Sequence, residues 1–593
     1  MGFDHRPLRA HDVDHRNVAR GYLADTKLWG VECSEIDIDA GADNVGIIQE
    51  TRFGFGRAKV AAAGGEETTT GNASTCPKIA GMDSGNEKKK QGDSGWAENL
   101  ADSGVAGIPA GRPQPAAGVH SAPQTEVAMF PPAPARVVRT ELPGPLAREH
   151  MKMGAFDLQS GYRAVVVDDE RSQGVSMVDI DGNIFLDLFS SFALGALGYN
   201  HPAMLATARS DEFLRAAVNP TSTPFLTTDT WLRFMTELKQ KWAPKGTERV
   251  FCVDGGGEGI ESAIKLAYMA HASKCRVAAG GPADPLQLPA AEQERIIDNA
   301  GSDSIIITFR GAFHGRSLGA LSATHSKVSH KADVPAFRWP MANFPANRWP
   351  LEQYAEENSK AEAASLVELA QIFEAHRGKV AGLLVEAMQS EGGDRHASSA
   401  WFRGVQGLCR DHGAAYILDE VQTGVAISGT LWMHEQFGLS APPDLVAFGK
   451  KMQMGGCFAT SPYCITQFGR MYQTRNGDRA RAMLATATLR TIDEEDLCGH
   501  VRREGAYFLE GIGALARAFP TLVSEPRGLG FLLAFDLPTP QARDQFLQHT
   551  VNQGVFASYT GTRSVRIRPH LITTRADIDE ALSAFNVAAK AIA

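Results

Sequence analysis

Residues 444–456 read DLVAFGKKMQMGG: an apolar run closes on two lysines and is followed by a glycine pair. A lysine at the end of a buried run is costly unless something holds its amine, because burial disfavours the charged form. Taken alone, the stretch reads as a solvated lysine pair closing a strand. Four earlier runs of the same texture, RVFCV (249–253), SIIITF (304–309), VAGLLVE (380–386) and AYILDE (415–420), alternate with longer helical stretches. That alternation predicts an α/β fold with a large, mostly parallel sheet covered by helices. Ligands in such sheets bind at the carboxyl ends of the strands, so the residues that follow each run mark the expected site.

The 593-residue chain, 43% hydrophobic, is long enough for more than one domain. Its net charge of -9 gives no basic footprint for nucleic acid. No stretch approaches the roughly 20 apolar residues that span a bilayer. Small molecules are the expected partners, with no nucleic acid and no membrane. Eight cysteines without a CxxC pair predict a reducing compartment and no thiolate metal site. Residues 1–135 are rich in Gly, Ala, Ser, Thr and Pro without periodic apolar faces, and are expected to form a disordered extension. The first twenty are arginine-rich but carry Asp4, Asp12 and Asp14, which leaves mitochondrial matrix and cytoplasm both open. Residues 136–205 and 486–593 are expected to build a smaller α+β domain around a large domain at 206–485. In its C-terminal part, GLGFLLAFDL (528–537) reads as a strand, and Thr574-x-x-Asp577 as the capping box of a final helix.

Each strand end carries something unusual. After RVFCV comes DGGGEGIESAIKLAYMA (254–270), a glycine-rich turn feeding a helix with Ile260, Ala263, Ile264 and Ala267 on one face. Backbone amides at such a helix start bind phosphate. The turn lacks the GK[ST] ending of a P-loop and the third glycine of a dinucleotide fingerprint. After SIIITF comes RGAFHGRS (310–317), with Phe313, His314 and Arg316, and after AYIL come Asp419, Glu420, Val421 and Gln422. Together, a phosphate cradle, an aromatic face, a buried acid and a strand-terminal lysine are what pyridoxal 5'-phosphate requires. They offer a phosphate site, a stacking surface, a partner for the pyridinium nitrogen and an amine for a Schiff base.

LDEVQTGVAISGTLW (418–432) followed by PPDLVAFGKKMQMGG (442–456) resembles the signature of the class III pyridoxal-phosphate aminotransferases. RTELPGP (139–145), GAFHGRS (311–317), SATHSKVSHKADVPAF (322–337), SEGGDRHAS (390–398) and VRIRPHL (565–571) are most similar to the 4-aminobutyrate aminotransferases, with the lysine 6-aminotransferases close behind. The resemblance covers about residues 137–593. It implies a fold type I transferase, a homodimer with a shared active site, and ping-pong transamination between an ω-amino acid and 2-oxoglutarate. Residue by residue, it implies that Lys450 forms the Schiff base, Asp419 binds the pyridine nitrogen and Gln422 the ring hydroxyl. Phe313 and Val421 would lie on the two ring faces, and Gly256 and Gly257 would hold the phosphate with Thr474 from the partner subunit. Arg316 would take the distal carboxylate of the substrate, Glu391 and Arg568 would form a gate, and Phe189 and Phe192 would line the substrate wall.

The chain also departs from the family pattern. Gly257 stands where a hydroxyl residue is usual, QTR replaces NTW at 473–475, and Ala387 replaces a proline. Gly255 and Glu258 stand where animal 4-aminobutyrate aminotransferases carry the cysteines of an iron–sulfur cluster, so no metal is expected. The Phe189 and Phe192 pair is closer to the lysine enzymes. L-lysine 6-aminotransferase and other ω-amino acid aminotransferases therefore stay open beside 4-aminobutyrate aminotransferase, as does an inactive scaffold with a binding arm.

Overall fold

Seven strands form one sheet in the order Arg249–Val253, Gly455–Ala459, Leu445–Phe448, Ala415–Asp419, Val380–Glu386, Ile305–Arg310, Met341–Asn343. From Leu445–Phe448 to Met341–Asn343 the neighbours run parallel, while Gly455–Ala459 is antiparallel to both of its neighbours. The computed structural model describes residues 134–154, 157, 165–219, 222, 225–298, 301–467 and 469–593. The expected disordered extension lies outside these, apart from residues 134 and 135.

Successive residues of the central strands alternate between two cores. Ile306, Leu384 and Ile417 pack with Ile260, Ala263, Ile264 and Ala267 of the helix Gly256–Ala278, whereas Ile307, Leu383 and Leu418 face a second, larger cluster. Both faces are thus buried, as parallel sheets require. Two strands were not foreseen, Met341–Asn343 and Gly455–Ala459. The second opens on the glycine pair Gly455 and Gly456. A Cβ on Gly455 would sit 2.0 Å from the Gly255 carbonyl oxygen, and one on Gly456 2.3 Å from the Phe448 ring. These glycines let the strand press against the phosphate turn and its neighbour rather than forming a turn of their own.

A four-stranded antiparallel sheet follows, in the order Ser524–Leu529, Leu532–Asp536, Ser564–Ile567, Ser558–Thr560. The segment 528–537, expected as one strand, is instead the heart of a hairpin that turns back at Gly530, whose φ of +58° suits glycine. The final helix, Arg575–Ile592, opens on the expected capping box between Thr574 and Asp577. A third sheet joins Ser176–Val178 and Ile184–Asp187 to Val555–Phe556, so the segment before residue 205 packs with the C-terminal one. Among the described residues no helix is long and apolar enough to cross a membrane.

Candidate active site

The ends of two adjacent parallel strands place Glu386 and Asp419 in register. His314 Nδ1 lies 2.7 Å from Asp419 Oδ2, and the Val421 N–H donates to Oδ1 at 2.9 Å. Glu386 accepts the N–H groups of Phe313 at 2.9 Å and Ser390 at 3.1 Å. Burial, followed by the charge on Asp419, raises the Glu386 carboxyl well above the usual carboxylate range.

The lysine pair separates into two roles. Lys450 follows an extended Gly449, adopts a left-handed φ of 49° and begins a short 3-10 turn, Lys450–Met452. Its amine makes no hydrogen bond or ion pair among the described residues. Burial pulls its pKa below the usual lysine value, Asp419 opposes this, and Arg566 adds to it. Lys451 is buried, and its Nζ donates to the carbonyls of Gln422 at 2.8 Å and Ala193 at 3.3 Å.

The helix Gly256–Ala278 begins beside these groups with Gly255 as an extended N-cap. A Cβ on Gly256 would lie 2.6 Å from Val421 Cγ1, so only glycine lets the helix start so close to the strand end. At Gly257 the nearest atom would be Ser317 Oγ at 3.5 Å, which leaves room for a side chain. Glu258 takes the Gly255 N–H at 2.9 Å, and the other N–H groups of the first turn, with the helix dipole, favour an anion. Thr474 is exposed and makes no hydrogen bond among the described residues.

The expected gate requires a correction. Glu391 does not pair with Arg568. Its Oε1 lies 2.7 Å from Arg566 Nη1, and its Oε2 lies 3.3 Å from Lys327 Nζ. Arg568 is fully buried and committed elsewhere, to Asp394 at 2.6 Å and Gln422 Oε1 at 3.0 Å. Alternate residues of a strand share a face, so periodicity makes the two arginines of VRIRPHL equal candidates. Their partners differ: Asp394 Oδ1 lies 2.6 Å from Arg568, beyond the strand end, but 3.8 Å from Arg566, whose Nη1 is left to Glu391. Burial opposes ionisation of Glu391, yet Arg566 and Lys327 hold its carboxyl down at about 2. Arg316 is exposed, with no ion pair among the described residues.

Phe189 and Phe192 meet edge to face, 4.5 Å between centroids. Between and beyond them, Ser190, Ser191, Phe192 and Ala193 all have positive φ, from 42° to 63°. Left-handed backbone costs about 1–2 kcal/mol per residue without glycine. Asp187 Oδ1 offsets this by accepting the N–H groups of Phe189 and Ser190, Ser190 Oγ donates to the Arg568 carbonyl, and Lys451 holds the Ala193 carbonyl.

Sequence reasoning left Glu386, His314, Lys327 and Arg566 without a role. Glu386 had a visible signal, since VAGLLVE ends on an acid as AYILD does, and adjacent parallel strands align their ends. His314 had none, because its partner Asp419 lies 105 residues away.

The donor set fits pyridoxal phosphate: Lys450 offers an amine with no hydrogen bond among the described residues, Asp419 a buried carboxyl group, and the helix start an anion cradle that Gly256 lets lie close to the strand end. This fold and these groups define a fold type I pyridoxal-phosphate enzyme. A family model described as "Aminotransferase class-III" matches residues 158–589, and the chain belongs to that family of pyridoxal-phosphate-dependent aminotransferases. It is 35% identical over 452 residues to the 4-aminobutyrate aminotransferase of Dictyostelium discoideum, covering 76% of this chain and 90% of the relative. It is 37% identical over 450 residues to that of Schizosaccharomyces pombe, covering 73% and 92%. Lysine aminotransferase from M. tuberculosis, solved in its internal aldimine form, superposes with a TM-score of 0.67 at 32% identity, covering 75% of this chain and 99% of that one.

Proposed function

We propose that the chain is a 4-aminobutyrate:2-oxoglutarate aminotransferase, forming succinate semialdehyde and glutamate. The observation that carries this reading is the 2.7 Å pair between Glu391 and Arg566 beside Lys450. An ω-amino acid presents a bare CH₂ next to its amine, whereas 2-oxoglutarate presents a carboxylate next to its ketone. An unmasked arginine would be left desolvated against the first and would favour α-amino acids. Glu391 masks Arg566 in one half of the cycle, and when it moves aside Arg566 receives the carboxylate of the second substrate. The names of the relatives favour 4-aminobutyrate as donor.

Bound pyridoxal phosphate supplies the electron sink for proton removal next to the amine. Lys450 would hold it and, once released, move that proton through Nζ, its lowered pKa favouring the neutral base. Asp419, fixed by His314, would keep the ring nitrogen protonated. Gln422 would reach the ring hydroxyl, Phe313 and Val421 the ring faces, Gly256 and Gly257 the phosphate. Arg316 would take the distal carboxylate, and Phe189 and Phe192 would wall the substrate. Residues 206–485 would form the cofactor domain and residues 136–205 with 486–593 the small domain. We further propose a homodimer that brings Thr474 to the other copy's phosphate. Leu214, Val218, Phe225 and Leu226 are each more than half exposed, an apolar surface that a second copy would cover.

A second reading, lysine 6-aminotransferase, is favoured by the M. tuberculosis structure and the Phe189–Phe192 pair. A panel of amine donors with 2-oxoglutarate, read as glutamate formed, separates the two. Turnover greatest with 4-aminobutyrate supports the proposal, and turnover greatest with lysine replaces it with the second reading.

A further inference from the structure

The Gln389–Arg395 turn and the four-stranded sheet enclose a cavity of about 530 Å³, in the size range of small-ligand sites. Glu391 lines it, together with Glu525 and Asp536. Each of these acids is already neutralised. Glu391 lies between Arg566 and Lys327. Glu525 faces Arg348 at 3.5 Å, sharing it with Glu357 at 2.9 Å, and accepts the Trp349 N–H at 2.7 Å. Asp536 holds Arg527 at 2.8 Å and Arg563 at 3.3 Å.

One lining cation remains over. Arg395 is exposed, and its guanidinium makes no hydrogen bond or ion pair among the described residues. Its backbone is nonetheless fixed, since Gln389 and Arg395 exchange N–H and carbonyl groups at 2.9 and 3.0 Å. The turn is pressed onto the glycine loop as well: a Cβ on Gly392 would stand 2.7 Å from the Gly311 carbonyl oxygen. An unpaired guanidinium is thus held on the same short turn as Glu391 and in the same cavity.

A surplus guanidinium discriminates by net charge. It attracts a dianion and is nearly indifferent to a zwitterion with no net charge. The two substrates of the proposed reaction differ in this way. We propose that the cavity is an anion-binding vestibule, in which Arg395, flanked by Arg348 and Arg563, docks a small dicarboxylate before it passes the Glu391–Arg566 pair. The identity of that dicarboxylate as the oxo-acid acceptor rests on the function proposed above.

The test is single-turnover reaction of enzyme loaded with pyridoxamine phosphate, which makes the acceptor half independent of any amine donor. Arg395→Gln is expected to lower the second-order rate constant for 2-oxoglutarate about fivefold at low salt, with the gap closing as salt rises. Arg395→Lys should recover most of the rate. Pyruvate, a monoanion, should lose less than about twofold under the same comparison. Arg563→Gln, whose side chain is 46% exposed, gives an independent variant expected to behave as Arg395→Gln does. An unchanged constant for 2-oxoglutarate in both variants, or equal losses with the two oxo acids, overturns the vestibule. If wild-type enzyme does not accept 2-oxoglutarate, the functional reading fails by itself, and calorimetric titration of the holoenzyme with glutarate then decides. Weaker binding to Arg395→Gln supports the vestibule, and equal binding overturns it.

Discussion

Lys450 and Lys451 are adjacent and chemically identical, and the backbone gives them opposite tasks. Lys450 adopts a left-handed φ and its amine makes no hydrogen bond among the described residues, while Lys451 is spent on two carbonyls. Lys450→Ala is expected to lower turnover on the order of 10³-fold or more with an unchanged melting temperature. Lys451→Met should lower stability by about 1–3 kcal/mol, because the Ala193 and Gln422 carbonyls are left buried and unpaired. Activity assays beside thermal melts check both, and a reversal of the two results would exchange the roles. The Glu391 side chain links stability to pH. Its carboxyl is pulled from 4.5 to about 2 in the folded chain, burial opposing and Arg566 and Lys327 prevailing. Its contribution to stability is therefore complete above the unfolded value and fades as pH falls from about 4.5 towards 2. Glu391→Gln should flatten that part of the acid-unfolding curve, whereas an unchanged curve would show that the pair does not hold in solution. Lys450 and Asp419 were legible as candidate site residues because each lies at the end of a buried strand. The pairing of Glu391 with Arg566 rather than Arg568 was not, because it depends on contacts with Asp394 and Gln422, which lie far away in sequence.

The central strands were readable from their apolar runs, and VAGLLVE and RVFCV match the observed strands residue for residue. Glycine-rich segments were harder. Gly455 and Gly456 read only as a glycine pair after the lysines, yet they open a strand, and their missing side chains admit the Gly255 carbonyl and the Phe448 ring. Gly530 read as interior strand, yet it turns a hairpin. Glycine marks both close approach and reversal, and only the packing partner tells which. The start of the helix Gly256–Ala278 allows a direct test. Ser at 257 would meet nothing nearer than Ser317 Oγ at 3.5 Å, and would supply the hydroxyl that the class III pattern carries there. Gly257→Ser is expected to tighten pyridoxal phosphate about tenfold, the worth of one hydrogen bond to a charged group. Titration of the apoenzyme, followed by cofactor absorbance, measures it, and an unchanged affinity would place the phosphate elsewhere. Gly256→Ala should weaken binding, since its Cβ would stand 2.6 Å from Val421 Cγ1.

Across the whole molecule, the site gathers segments that the chain keeps far apart. The Ser190–Ala193 turn comes from before the large sheet, Glu386, Asp419 and Lys450 from its strand ends, and Arg566 from the four-stranded sheet. Glu391 and Arg566 are 175 residues apart in sequence, yet their 2.7 Å contact links the turn after one sheet to a strand of the other at the candidate site. A pair so placed can mask or present a cation according to which substrate enters. Single-turnover rates for each amine-donor half-reaction, measured with wild type and Glu391→Ala, test it most directly. With Arg566 permanently unmasked, the rate with 4-aminobutyrate is expected to fall about tenfold, equivalent to ~1.4 kcal/mol, while the rate with glutamate is maintained or rises. Equal losses with both donors would contradict the account and leave Glu391 and Arg566 as structural partners.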